Sequence, residues 1–164
     1  MNPPVLGLDL AQATFVAALQ FSEQQVLQQS FANTPSGFRK LGVWLHQHLA
    51  SPLRVGLECT NTYAEPLAEW LHQHGHTVHL LNPERLAHYA KAIGQRNKTD
   101  PADAVTIARF VARHADLTVW VPPLPEQKSL RSTGMLVMSV AANVPRAVSR
   151  SATPFAAAIN VVMR

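Results

Sequence analysis

Val5-Leu6-Gly7-Leu8-Asp9-Leu10 is apolar on both alternating faces except at Asp9, the pattern of a central strand buried on two sides. Thr14 to Phe21 and Gln25 to Phe31 are two further strands, joined by the polar Ser22-Glu23-Gln24 and consistent with an antiparallel meander. The period then changes. Asn33-Thr34-Pro35-Ser36 signals a helix start, and Phe38, Leu41, Leu45 and Leu49 continue at helical spacing. Leu53 to Cys59 returns to a strand pattern, with Glu58 at its end and Gly56 two positions earlier on the same face, as Gly7 precedes Asp9. A helix is predicted from about Thr62, whose hydroxyl can form a capping box with Glu65, through Leu67, Trp70 and Leu71 to a stop at Gly75. Thr77 to Leu81 is a fifth strand, and Asn82-Pro83 opens a helix that runs to about Ile93. Asp100 is an N-cap candidate with Pro101 at the first helical position, and Ala104, Ile107, Ala108 and Val111 then form one apolar stripe. After Arg113, Val119-Trp120-Val121-Pro122-Pro123 reads as an extended connector on the surface. The order is βββαβαβαα. It predicts an α/β fold with a mixed five-stranded sheet in which the first and fourth strands are neighbours.

That adjacency brings the acids together. Asp9 and Glu58 would lie side by side, and Asp100 and Asp103 share a helix face with Ala104 and Ile107, at the end of the side that packs inward. An unpartnered carboxylate there is costly, so something cationic is expected. Clustered carboxylates cannot all ionise without cations, and hard oxygen donors suit Mg²⁺ or Mn²⁺. A two-metal centre needs ions about 3.5 to 4 Å apart, which four bridging and terminal carboxylates can hold, for the displacement of a phosphodiester oxygen.

Length and charge narrow the picture further. The chain has 164 residues and is 47% hydrophobic, enough for one domain with a substantial core. It opens without a basic segment before an apolar run and holds no apolar stretch of membrane-spanning length, so a cytoplasmic location without membrane association is expected. One cysteine, Cys59, leaves no intrachain disulfide and no cysteine-based zinc site. Of the 14 Lys and Arg, three fall after Ser132, where no acid occurs. Before that point the balance is nearly even, and the more telling feature is local. Arg85, Lys91, Arg96 and Lys98 precede Asp100 with no acid among them, which points to a phosphate-bearing partner, with Lys91, Arg96 and Lys98 as its contacts.

Gly7-Leu8-Asp9-Leu10-Ala11, Glu58-Cys59-Thr60-Asn61-Thr62-Tyr63 and Lys98-Thr99-Asp100-Pro101-Ala102-Asp103-Ala104 resemble, in order and spacing, the DEDD motif of a transposase family. That family belongs to the insertion sequences numbered one hundred and ten and is also known as the bridge-RNA-guided recombinases. The resemblance runs from about Val5 to Arg131. It implies a ribonuclease-H-like fold of the RuvC type, with Asp9, Glu58, Asp100 and Asp103 as catalytic metal ligands. It implies DNA as the partner, with a structured guide RNA and a homo-oligomer in the full-length family. The expected organisation is a catalytic domain over residues 4–122 and the start of a helical arm over 123–132. Residues 133–164 read as an atypical tail, truncated or frame-shifted, without the family's second domain and its catalytic serine.

Other features have plainer readings. His46, His48, His72, His74 and His76 are expected on the surface, several of them near helix C-termini where the dipole favours them. Trp44, Trp70 and Tyr63 fall on helix faces and are expected in the core. Two rival functions are an actin-like phosphotransferase, which shares Gly-x-Asp in its opening strand but would need a Gly-rich phosphate loop where Ala11-Gln12-Ala13-Thr14 stands, and a non-catalytic nucleic-acid-binding remnant.

Overall fold

The computed structural model describes residues 3–48, 52–58, 62–94 and 100–123, with the side chains of residues 62 and 100–102 outside that description. Strands β1 (Val5–Leu10), β2 (Thr14–Gln20) and β3 (Val26–Ala32) are followed by helix α1 (Pro35–His48) and strand β4 (Arg54–Glu58). A 3₁₀ turn at Thr62–Ala64 leads into α2 (Glu65–Gln73), then β5 (Thr77–Leu81), α3 (Pro83–Ala92) and α4 (Asp100–Arg113). The sheet order is β3-β2-β1-β4-β5. β1 pairs antiparallel with β2 and parallel with β4, and β5 extends the parallel side. The predicted neighbourhood of the first and fourth strands is therefore present.

Alternation along the strands sorts the core onto two faces. Leu6 and Leu8 of β1, Phe15, Ala17 and Leu19 of β2, and Val55 and Leu57 of β4 are buried with Phe38, Leu41, Trp44 and Leu45 of α1 and Leu67 and Leu71 of α2. On the other face Val5 and Ala18 are buried with Leu86 of α3 and with Ala104, Ile107, Ala108 and Val111 of α4, the stripe read from the sequence. α1 starts as expected, with the Thr34 Oγ1 accepting from the Gly37 N–H at 3.3 Å. In α3, Asn82 Oδ1 accepts from the Glu84 N–H at 2.7 Å, and Gly94 follows the helix at φ +74°. The connector after α4 is extended, and its Trp120 N–H donates to the Val78 carbonyl at 2.7 Å along β5.

Three expectations are corrected. The Thr62–Glu65 capping box does not start α2: the cap residue is Ala64, without a side-chain cap, because the chain first makes the 3₁₀ turn and Pro66 sits in the first helical turn. That turn also carries Tyr63 outward, where it is 39% exposed instead of in the core. Asp100 is itself the first residue of α4 instead of preceding it. Cys59 and the residues from 124 onward, including the tail, lie outside the described residues. No helix among the described residues is long and apolar enough to cross a membrane.

Candidate metal centre

Asp9 lies near the C-terminal end of β1, paired across to Val16 of β2. On its other side the parallel register runs Val5 with Arg54 to Leu8 with Leu57, so Glu58, the last residue of β4, is the next neighbour of Asp9. Adjacent strands are about 4.8 Å apart, and residues in register point to the same face. That face is the one under α4. A Cβ placed on Gly7 would strike the Ala104 carbonyl oxygen and the Ala108 backbone nitrogen, and one placed on Gly56 would meet Ile107 Cγ2 at 3.0 Å. Gly7 and Gly56 are themselves a register pair. The two glycines let the helix backbone sit close on the sheet, and the two acids stand two residues further along the same strands and face.

α4 runs antiparallel to β1: its Ala104 lies over Gly7, whereas Arg109, Ala112 and Arg113 share a cleft with Val5 and Gln20 at the other end of the strand. Asp103, one residue before Ala104 and on the Ile107 side of the helix, is thus at the end of α4 near Asp9. Asp9, Glu58 and Asp103 are all half-buried. The helix start adds its positive dipole end, which favours negative charge there.

The donors fit a hard divalent cation in kind, being carboxylates drawn from two adjacent strand ends and a helix start. Among the described residues no group of three or more His, Cys, Asp or Glu side chains is close enough to hold a metal ion, and the Asp100 side chain lies outside that description. Of the proposed phosphate contacts, Lys91 is exposed on the last turn of α3, while Arg96 and Lys98 lie outside the described residues. Arg85, from the same basic stretch, sits over the Phe110 ring at 5.7 Å, which ties it to the fold.

The histidines serve local structure. His74 stacks on Trp70 with centroids 3.9 Å apart, and the His76 Nδ1 accepts from the Leu53 N–H at 3.1 Å. His72 and His76 are half-buried, so the surface expectation fits His46, His48 and His74 better. His79, which no sequence pattern singled out, is 2% exposed and bonds through Nδ1 to the Thr118 carbonyl at 3.0 Å. Burial lowers the pKa of both His76 and His79; the nearby His74 adds to the effect at His76, and at His79 the Thr118 bond opposes it while Arg54 reinforces it.

A cleft of about 770 Å³ lies at the opposite end of α4 from the acids, lined by residues of β1, β2, the β2–β3 turn, α3 and α4. Gln20 and Tyr89 line it, and their Oε1 and hydroxyl are buried with no hydrogen-bond partner among the described residues. A glutamine at a strand end reads as a solvated residue, so the sequence carried no signal for this cleft.

A family model described as DEDD transposase of insertion sequence 110 matches residues 6–152. The chain belongs to this transposase family. The matched interval runs past Arg131, where the resemblance read from the sequence ended, and so takes in part of the acid-free tail. Among relatives, the pilin gene-inverting protein of Moraxella bovis is 37% identical over 132 residues, which is 79% of this chain and 38% of that protein. The pilin gene-inverting protein of Moraxella lacunata is 36% identical over the same shares. The chain spans little more than a third of the length of these relatives. Among solved structures, Thermus thermophilus RuvC matches with a TM-score of 0.50 at 12% identity, over 72% of this chain and all of that one. The transposase chain therefore has the RuvC-type, ribonuclease-H-like fold. Its family replaces the actin-like phosphotransferase reading.

Proposed function

We propose that this chain is the carboxylate-bearing N-terminal domain of a transposase or recombinase that acts on DNA phosphodiesters with Mg²⁺ or Mn²⁺. The observation that carries the reading is the placement of Asp9 and Glu58 in neighbouring register on parallel strands, on the face that α4 covers with Asp103 at its near end. The family model and the pilin gene-inverting relatives support DNA as the substrate. Bound divalent metal would activate the attacking oxygen and stabilise the leaving one. Asp9, Glu58, Asp100 and Asp103 would hold it, and Lys91, Arg96 and Lys98 would position the backbone through its phosphates. The close seat of α4 on Gly7 and Gly56 would keep the carboxylates in one arrangement.

A complete strand exchange also needs a nucleophile that holds the broken end, which in full-length relatives would come from beyond this domain. The alone-standing chain is therefore expected to bind DNA and at most nick it. The test is cleavage and binding of branched and linear DNA with and without Mg²⁺ or Mn²⁺, for the chain and for Asp9→Asn. Metal-dependent nicking lost in Asp9→Asn supports the reading. Equal, metal-independent binding by both, with no nicking, favours the non-catalytic nucleic-acid-binding remnant.

A further inference from the structure

The strongest feature outside the acidic end is the cleft at the far end of α4. Three properties coincide there. Two cations reach it from successive turns of one helix: Arg109, half-buried and without a carboxylate partner among the described residues, and Arg113, paired with Glu23 at 3.0 Å. Both members of that pair are exposed, so the ion pair is weak and an incoming anion can displace Glu23. Two buried polar groups without a well-formed hydrogen bond, Gln20 Oε1 and the Tyr89 hydroxyl, belong to the same cleft, and the hydroxyl is near enough to Arg113 to interact with its guanidinium. Gln20 is 5% exposed, and a half-turn of its terminal amide about the last torsion exchanges oxygen for nitrogen, so it can present an acceptor or a donor to the cleft. Val5, Phe21, Ile93 and Ala112 add an apolar wall, and Ser22 and Gln24 of the β2–β3 turn a polar edge.

We infer that this cleft binds a nucleoside monophosphate unit, with its base against Tyr89 and Ile93, its edge read by the Gln20 amide, and its phosphate held by Arg109 and Arg113. Each part of that ligand answers one observation. Arginine forks match phosphate oxygens, and an amide with a phenol offers both donor and acceptor to a base edge. An apolar and aromatic wall suits a base face, and the volume lies within the range of about 300–1,000 Å³ usual for small-ligand sites. A bare anion would leave the amide and the apolar wall unused. The inference stands apart from the metal centre, because cleft and acids share the sheet face but lie at opposite ends of α4. The nucleotide can arrive free or as one unit of a single strand.

The test is equilibrium binding to the full chain of AMP, GMP, CMP and UMP, of inorganic phosphate, and of a single-stranded tetranucleotide. At least one mononucleotide should bind saturably, at least tenfold more tightly than phosphate. Arg109→Ala should weaken it at least tenfold with an unchanged melting temperature, and Gln20→Leu should weaken it while leaving phosphate binding in place. Arg109 is only half-buried, so its variant keeps the test open if Gln20→Leu fails to fold. A tetranucleotide that binds more tightly than the mononucleotide, again through Arg109, assigns the site to a strand; equal affinity assigns it to a free nucleotide. Asp9→Asn should change none of these values, so failure of the metal reading leaves this one standing. No saturable binding, equal affinity for phosphate and nucleotides, or binding insensitive to Arg109→Ala would overturn it.

Discussion

Gly7 and Gly56 are register partners across the parallel β1–β4 pair, and both face α4. They differ in what a methyl group would meet. On Gly7 it would strike helix backbone, at the Ala104 carbonyl and the Ala108 nitrogen; on Gly56 it would meet side-chain atoms of Val111, Ile107 and Leu81. Backbone cannot step aside without moving the helix, whereas methyl groups can repack. Gly7→Ala should therefore destabilise the domain by about 3 kcal/mol or more, and Gly56→Ala by about 1 to 2 kcal/mol. Urea unfolding of the two variants measures the difference, and equal losses would contradict the close seat of α4 on β1.

The pH dependence of stability has a definite sign. His76 and His79 have folded pKa values lowered mainly by burial, so below about 6.5 the unfolded chain takes up protons that the folded chain refuses. Stability should be flat above that value and fall as the pH drops below it. Protonating the His76 Nδ1 would also remove the acceptor for the Leu53 N–H. Urea midpoints taken between pH 7.5 and pH 5.5 should fall in the native chain and fall less in His79→Gln; a midpoint that rises towards pH 5.5 would contradict the assignment.

The sequence from Gly94 to Thr99 carries Arg96 and Lys98 and no aromatic residue, a composition that suits phosphate contact and not base reading. Replacing both with Ala should weaken DNA binding for all sequences alike and flatten the salt dependence by about 0.9 per lost phosphate contact. Fluorescence anisotropy at several salt concentrations checks this. Loss confined to one sequence would contradict it.

Among the described residues both hydrophobic clusters close by Trp120, and the sequence after Ser132 lacks the patterned apolar spacing that would dock it. Deleting Thr133 to Arg164 should accordingly shift the melting temperature by no more than about 2 °C, roughly a few tenths of a kcal/mol for a domain of this size. Calorimetry of the shortened chain decides it, and an unfolded product would contradict the proposed boundary.

Much of this architecture was legible because it depends on period and order. Alternation in Val5 to Leu10 and in Leu53 to Cys59, with a crossover between them, was enough to make β1 and β4 neighbours and to put Asp9 beside Glu58. The Ala104 to Val111 stripe likewise marked the buried face of α4. Position in a turn was harder. Tyr63 has a helical spacing in the sequence but is turned outward by the 3₁₀ geometry ahead of Pro66. Features made by distant segments left no local trace. The bond from His79 to the Thr118 carbonyl joins residues 39 apart, and the Gln20 cleft needs β2, α3 and α4 in place before it exists.

Asp9 and Glu58 are proposed to act with Asp100 and Asp103 as one metal-binding group. Carboxylates held together repel one another until a cation binds, so a ligand for the native state should raise its stability by mass action. The most direct measurement is the melting temperature of the chain and of Asp9→Asn/Glu58→Gln across a titration of Mg²⁺ and of Mn²⁺. A saturable rise of several degrees is expected in the native chain, with little or no rise in the variant. The same metal-induced shift in both proteins would contradict it.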